Sequence, residues 1–192
     1  MFSEDKRRAA KVFYIEGNVG VGKTQCASSI CKMLREKDVK PLLIEENVAE
    51  FASSCGALKG HLKREAQLRN VTAGEWDVVL VERHPTTTLE VFDESAETRE
   101  LYDALHEMSG FLKNPENTIY IKNSPRACRD RARVRRRQGE CDFDETLFEA
   151  WHGKLENMMT KRIALGGKVF IFDAFGGDAH QLSASIISCM GY

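Results

Sequence analysis

The chain has 192 residues, 42% hydrophobic and 30% charged, enough for one substantial core, so a single domain over residues 1–192 is expected. A formal net charge of -1 and a pI near 6.5 exclude a surface built throughout for nucleic acid or an anionic membrane, while leaving room for a local basic patch. The opening MFSEDKRRAAK is charged and lacks an apolar centre, and no later run reaches the length of a membrane span; no signal peptide and no membrane partner are expected, and the location read is intracellular, in the cytoplasm.

The first expected strand is Val12 to Ile15, and it runs directly into EGNVGVGKT. Gly17, the residues Asn18, Val19, Gly20 and Val21, then Gly22, Lys23 and Thr24 match G-x-x-x-x-G-K-[ST] without a gap, in the strand-loop-helix context that a phosphate-binding loop requires. Its glycines permit positive φ and close backbone approach, so successive N–H groups can face an anion at the positive end of the next helix. Lys23 supplies a point charge for β- and γ-phosphates, and the Thr24 hydroxyl a magnesium ligand. Ala27, Ile30 and Leu34 then share one face of that helix.

The second expected strand, Leu42 to Ile44, ends in Glu45-Glu46, and the third, Val78 to Val81, ends in Glu82-Arg83-His84. Between them LKGHLKREAQL reads as one helix. Leu101, Leu105, Met108 and Leu112 are expected to share a face of the next helix, before a fourth strand at Thr118 to Ile121. Ser124-Pro125 reads as an N-cap followed by proline at the first helical position, opening a helix into RACRDRARVRRRQGE. That run carries seven arginines against Asp130 and Glu140; downstream of a phosphate loop it reads as a lid that closes over a triphosphate, with RNA binding or a solvated charged face as the competing readings. Leu147, Trp151, Leu155 and Met158 share the face of a further helix, and the fifth strand, Val169 to Phe172, ends at Asp173.

All five strands are short, apolar and free of proline, as strands buried on both faces of a parallel sheet are. Their alternation with helices implies an α/β, doubly wound P-loop fold: five parallel strands, helices on both faces and an arginine-rich lid at about 126–140. Ligands in such a fold lie at the carboxyl ends of the strands, where Glu46, Glu82, Arg83 and Asp173 fall. Carboxylates there can accept a proton from an attacking hydroxyl; Glu45 reads instead as the point where a strand meets water. Cys26, Cys31, Cys55, Cys128, Cys141 and Cys189 have no C-x-x-C spacing and read as reduced thiols. His61, His106, His152 and His180 lack metal-ligand spacing and read as surface or packing residues, and Trp151 and the Met158-Met159 pair as core or dimer surface.

EGNVGVGKT, EENVAEF, VERHPTTTLEVF and RDRARVRRRQGE together resemble the deoxyribonucleoside kinases, with ERHP especially similar to the herpesvirus thymidine kinases, over Val12 to about Phe175. The resemblance implies a magnesium-dependent transfer from ATP to the 5′-hydroxyl of a deoxyribonucleoside, thymidine foremost, with no nucleic-acid partner and with a homodimer compatible. On it, Glu46 matches the general base, Arg83 the arginine that orients that base and the phosphate, and Glu82 the acidic residue near magnesium. Val48 and Phe51 line the nucleoside pocket, and Phe92, ten residues after Glu82, is the ring that stacks on the base. Arg131 matches the arginine over adenine, Arg135 and Arg137 those on the phosphates, and Glu140 the carboxylate at the sugar 3′-hydroxyl. Asp173 to Gly177, including Phe175, forms the loop around the donor adenine. His84 supports the turn.

The chain departs from that family between Glu46 and Glu82, where 35 residues replace the usual two helices, no tyrosine occurs and Gln67 is the only glutamine. Asn47 stands where a proline is usual. The expectation is a base held mainly by stacking on Phe92, with Gln67 the first polar residue to test. Two further readings remain open: a nucleoside monophosphate (thymidylate) kinase, which needs a cation at the acceptor phosphate, and a catalytically impaired nucleotide- or RNA-binding P-loop protein.

Overall fold

A computed structural model describes residues 9–46, 56–71, 74–92, 96–109, 113–136, 144–174 and 178–192. Five strands form one parallel sheet: β1 (Lys11–Glu16), β2 (Pro41–Ile44), β3 (Val78–Glu82), β4 (Asn117–Lys122) and β5 (Lys168–Asp173), in the spatial order β2-β3-β1-β4-β5. Each of the five expected strands is present, longer by one or two residues at its ends, where polar residues or, in β2, Pro41 extend the pairing. The helices are α1 (Lys23–Arg35), α2 (Gly56–Arg69), a short α3 (Pro85–Thr87) that runs on as a π-helical turn over Thr88–Phe92, α4 (Ala96–Ser109), α5 (Pro125–Arg135), α6 (Glu145–Ala164) and α7 (Ala179–Met190). No helix among the described residues is long and apolar enough to cross a membrane.

The order of burial follows from the order of strands. All five residues of β3 are buried, whereas edge strand β5 has only exposed and half-buried positions. On one side Ala27, Ile30 and Leu34 of α1 pack with Ile186, Ile187 and Met190 of α7; Phe148, Trp151, Leu155, Met158 and Met159 of α6 join the same core. The α6 stripe read from sequence is confirmed, and Trp151 and both methionines are core residues.

The stripe expected on α4 is shifted. Leu101 is 44% exposed, and Tyr102 is fully buried beside Leu58 of α2 and Leu89 of the π-turn. A leucine count misses this because tyrosine carries a large apolar ring under a polar tip. Met108 and Leu112 lie outside the side chains described. Ser124 caps α5 as expected: its Oγ accepts from the Ala127 N–H at 3.2 Å, with Pro125 at the first helical position.

Strand register sets the site. Ile15 pairs with Glu82 and Ile44 with Val81, so the ends of β1, β2 and β3 finish side by side and the residues just beyond them share one crevice. β1 lies between β3 and β4, and the chain leaves it through the glycine loop.

Candidate active site

Gly17, Gly20 and Gly22 all have positive φ, at 149°, 78° and 103°. At Gly20 the reason is also steric: a Cβ would stand 2.2 Å from the Cys128 carbonyl oxygen, because the first turns of α5 press on the loop. The arginine helix is therefore built against the phosphate loop. Arg131 Nη1 donates to the Val21 carbonyl at 3.2 Å, which places the expected adenine-side arginine on the loop itself. Asn18 braces the other side: its Nδ2 donates to the Phe148 carbonyl at 3.0 Å and its Oδ1 accepts from the Val19 N–H at 2.8 Å.

Lys23 opens α1 and is buried, with Nζ donating to the carbonyls of Gly17 and Asn18 at 3.1 and 3.2 Å. Burial, then the positive charge of Arg83, lowers its pKa to about 8, against the opposing pull of Glu46, Glu82 and Glu16. An ammonium held on two loop carbonyls and surrounded by these charges is poised for a polyanion. Thr24, next in the helix, is exposed on the same end.

At the ends of β2 and β3 the predicted carboxylates and arginine meet. Arg83 Nε lies 2.7 Å from Glu46 Oε1, with both side chains buried. The Glu46 N–H donates to Glu82 Oε2 at 3.0 Å, so one carboxylate positions the backbone of the other. Glu82 Oε1 is buried with no hydrogen-bond partner among the described residues. Arg83 has φ 61°, a conformation rarely used by non-glycine residues, and its N–H is held by the Ile15 carbonyl at 3.0 Å. Its guanidinium lies 4.1 Å from the centroid of Phe92, whose ring also meets Trp151 at 5.1 Å. Phe92 is thus already stacked on the arginine that holds Glu46.

Sequence reasoning missed the hub behind this cluster. Glu16, wholly buried, accepts at Oε1 from the His84 N–H at 2.9 Å, from Thr87 Oγ1 at 2.6 Å and from both Nη atoms of Arg162 at 3.2 Å. Arg162 Nη2 also donates to Thr87 Oγ1 at 2.8 Å. Nothing in the sequence joins the two: Glu16 stands immediately before the glycine loop and Arg162 lies in the last turn of a helix 146 residues later. His84 caps α3, as the turn-supporting reading has it: its Nδ1 accepts from the Thr86 N–H at 3.2 Å. Burial keeps its pKa well below the usual histidine value.

The second omission is on α2. Gln67, the first polar residue to test from the sequence, is exposed. The inward polar residues are His61 and Arg64, 1% and 5% exposed. Arg64 Nη2 contacts His61 Nδ1, and His61 Nε2 lies 2.7 Å from Thr88 Oγ1. Their spacing with Leu58 gives the signal, a continuous helical face at i, i+3 and i+6, but one that mixes polar and apolar types.

Among the remaining predicted residues, Glu45 is exposed, as its bland reading held, and Asp173 is exposed at the end of β5. Arg135 is exposed in the last turn of α5, one turn beyond Arg131. Arg129 pairs with Asp130 and with Glu145 at the start of α6. Val48, Phe51, Arg137, Glu140 and Phe175 lie outside the described residues.

No family model matches this chain, and no curated protein sequence matches it. Solved structures do resemble it. A deoxyadenosine kinase from M. mycoides with bound dATP superimposes with a TM-score of 0.69 over 95% of this chain and 100% of the other, at 17% identity. The same enzyme with the products dCMP and a flexible dCDP bound gives 0.67 over 93% and 98%, again at 17% identity. The arrangement of strands and helices is that of a P-loop kinase fold.

Proposed function

We propose that the protein transfers the γ-phosphoryl group of ATP to the 5′-hydroxyl of a deoxyribonucleoside in a magnesium-dependent reaction, with thymidine the leading acceptor. The observation that carries the proposal is the buried Glu46-Arg83 pair beside Glu82, within electrostatic reach of Lys23 in the glycine loop. A nucleoside kinase needs a carboxylate, an arginine and a phosphate cradle at one place, and these three come from the ends of β2, β3 and β1. The deoxyadenosine kinase of like fold supports the acceptor class.

The residues fit a magnesium ion. Glu82 Oε1 is a buried carboxylate oxygen without a partner among the described residues, and Thr24 offers an exposed hydroxyl at the start of α1. When bound, the ion neutralises charge on the donor phosphates. Glu46, oriented by Arg83 and by its own N–H on Glu82, accepts the proton of the 5′-hydroxyl as that oxygen attacks. Lys23 moves from loop carbonyls to phosphate oxygens, and Arg131, Arg135 and Arg137 supply charge from the lid side. Val48, Phe51, Phe92 and Glu140 remain the proposed nucleoside contacts, and Asp173 and Phe175 the donor-adenine loop. Phe92 has Arg83 against its ring, so a base stacked on it completes a sandwich with the guanidinium.

The test pairs a screen with one substitution. Wild-type protein with radiolabelled ATP is expected to label deoxyribonucleosides and to leave monophosphates unlabelled. Glu46→Gln should lower kcat by about 10² to 10⁴-fold with KM for the nucleoside little changed, because general-base catalysis contributes on that scale. An unchanged kcat moves the base to Glu82.

A further inference from the structure

Asn123 is a buried amide, 4% exposed, in the two-residue link between β4 and α5. Both ends of its side chain are engaged. Nδ2 donates to the Ala174 carbonyl at 3.1 Å, and Oδ1 accepts from the Ser124 N–H at 2.8 Å. Ala174 is the first residue past β5, and its own N–H is held by the Lys122 carbonyl at 2.7 Å. One side chain therefore fastens the carboxyl end of β5 to the residue that caps the arginine helix. The task suits an amide, which offers a donor and an acceptor at the two tips of one short planar group.

The same link seats the glycine loop. A Cβ on Gly17 would stand 2.6 Å from the Ile121 carbonyl oxygen, just before Asn123 in the chain, and one on Gly20 would stand 2.2 Å from that of Cys128, just after it. Strand order then fixes where a donor nucleotide extends. Glu46, Glu82 and Arg83 gather at the ends of β2 and β3, the glycine loop follows β1, and β4 and β5 lie beyond β1 on the other side. With the migrating phosphoryl group between the loop and Glu46, the rest of the donor runs away from the acceptor and over the ends of β4 and β5. Asn123 and Ala174 stand at those ends. Helix α5 has fastenings of its own, the Ser124 cap and the bond from Arg131 to the Val21 carbonyl. What Asn123 adds is the tie to β5.

Resting on the kinase reading above, we propose that Asn123 is a positioning residue for the phosphate donor. It holds the carboxyl end of β5 against the arginine helix, so that the nucleoside half of ATP meets a surface fixed relative to the glycine loop. Its polar atoms are spent on the backbone, so its effect falls on donor affinity and leaves the chemical step alone.

The experiment is calorimetry on the full chain with magnesium, comparing ATP with inorganic tripolyphosphate, which has the phosphates and no nucleoside. Asn123→Leu is neutral, nearly isosteric and makes neither bond. It should weaken ATP by about 10-fold, the scale of one buried polar pairing lost, and leave tripolyphosphate close to its wild-type affinity. In steady state KM for ATP should rise by the same factor, with kcat and the KM for the deoxyribonucleoside unchanged. Asn117→Leu is the matched control: Asn117 Nδ2 donates to the Val12 carbonyl at 3.2 Å at the opposite end of β4, and its loss should leave ATP affinity unchanged. Circular dichroism checks the fold of each variant, and Asn123→Ala carries the same comparison if Asn123→Leu does not fold. Four results overturn the assignment: a wild type that binds ATP no tighter than tripolyphosphate, unaltered ATP binding in the Asn123 variant, equal weakening of both ligands, or equal weakening of ATP in Asn117→Leu. ATP binding without transfer, with the expected loss in the Asn123 variant, keeps Asn123 and sinks the kinase. A folded wild type that binds no ATP sinks both.

Discussion

Lys23 is the residue whose environment says most about its task. Burial is the largest influence on it and lowers its pKa to about 8, while a triphosphate would favour the charged ammonium. The linkage has a definite sign. The free folded protein loses this proton as pH rises through about 8, and ATP binding must restore it, so affinity for ATP should fall above that pH by up to about tenfold per unit. Titration calorimetry between pH 7 and 9 measures this, and Lys23→Arg should flatten the dependence because guanidinium stays charged. Stability moves oppositely: the folded-state pKa lies below the unfolded value of 10.5, so this group adds stability as pH rises from about 8 to 10.5. Lys23→Ala should cut phosphoryl transfer by about 10² to 10³-fold, the scale for losing one charge-stabilising donor, with the fold intact by circular dichroism.

Individual elements are coupled through groups that belong to none of them alone. Glu16 ends β1, Thr87 ends α3, Arg162 stands in the last turns of α6, and one carboxylate oxygen joins all three. Arg162→Leu leaves Glu16 as a buried charge without its cation, and Glu16→Gln leaves Arg162 in the same position. Each should destabilise the protein by about 3–5 kcal/mol in urea unfolding, and the double variant by less than the sum. The turn that carries Arg83 at positive φ hangs from the same hub, so these variants should also lower kcat.

The arginine helix α5 is the other coupled element. Arg131 already touches the loop, whereas Arg135 stands a turn further out. If α5 serves ATP, Arg135→Ala with Arg137→Ala should reduce transfer while leaving the thermal midpoint close to that of the wild type, since Arg135 is exposed.

For the whole molecule, the net charge of -1 sets the arginine run against an otherwise acidic balance. Its helix is pressed on the glycine loop through Cys128 and Arg131, and on the kinase reading it serves a nucleotide rather than an extended nucleic acid. RNA binding, measured by filter retention across a salt series, should therefore be weak and lack a steep salt slope. Tight binding with a steep slope, lost in the Arg135 and Arg137 double variant and with no transfer by the wild type, would establish the RNA-binding reading instead.

The sequence by itself determined the five strands, the phosphate loop, the capped arginine helix and the meeting of Glu46, Glu82 and Arg83, for a common physical reason. A strand buried on both faces must be a short apolar run, and a loop that encloses phosphate must have glycines at set spacings, so both signals are local. Polar residues just past such strands are gathered by the parallel register, which the apolar runs already imply. Only the tertiary structure decided which lone polar residues are buried together. Glu16 and Arg162 are 146 residues apart, and His61 and Thr88 are 27 apart. Such pairs leave no period or spacing in the chain, because what permits each buried polar group is a partner brought by another element. The same holds for α2, where the sequence offered Gln67 as the first polar residue to test, and the packing of Leu58 against Leu89 and Tyr102 buries His61 and Arg64 instead.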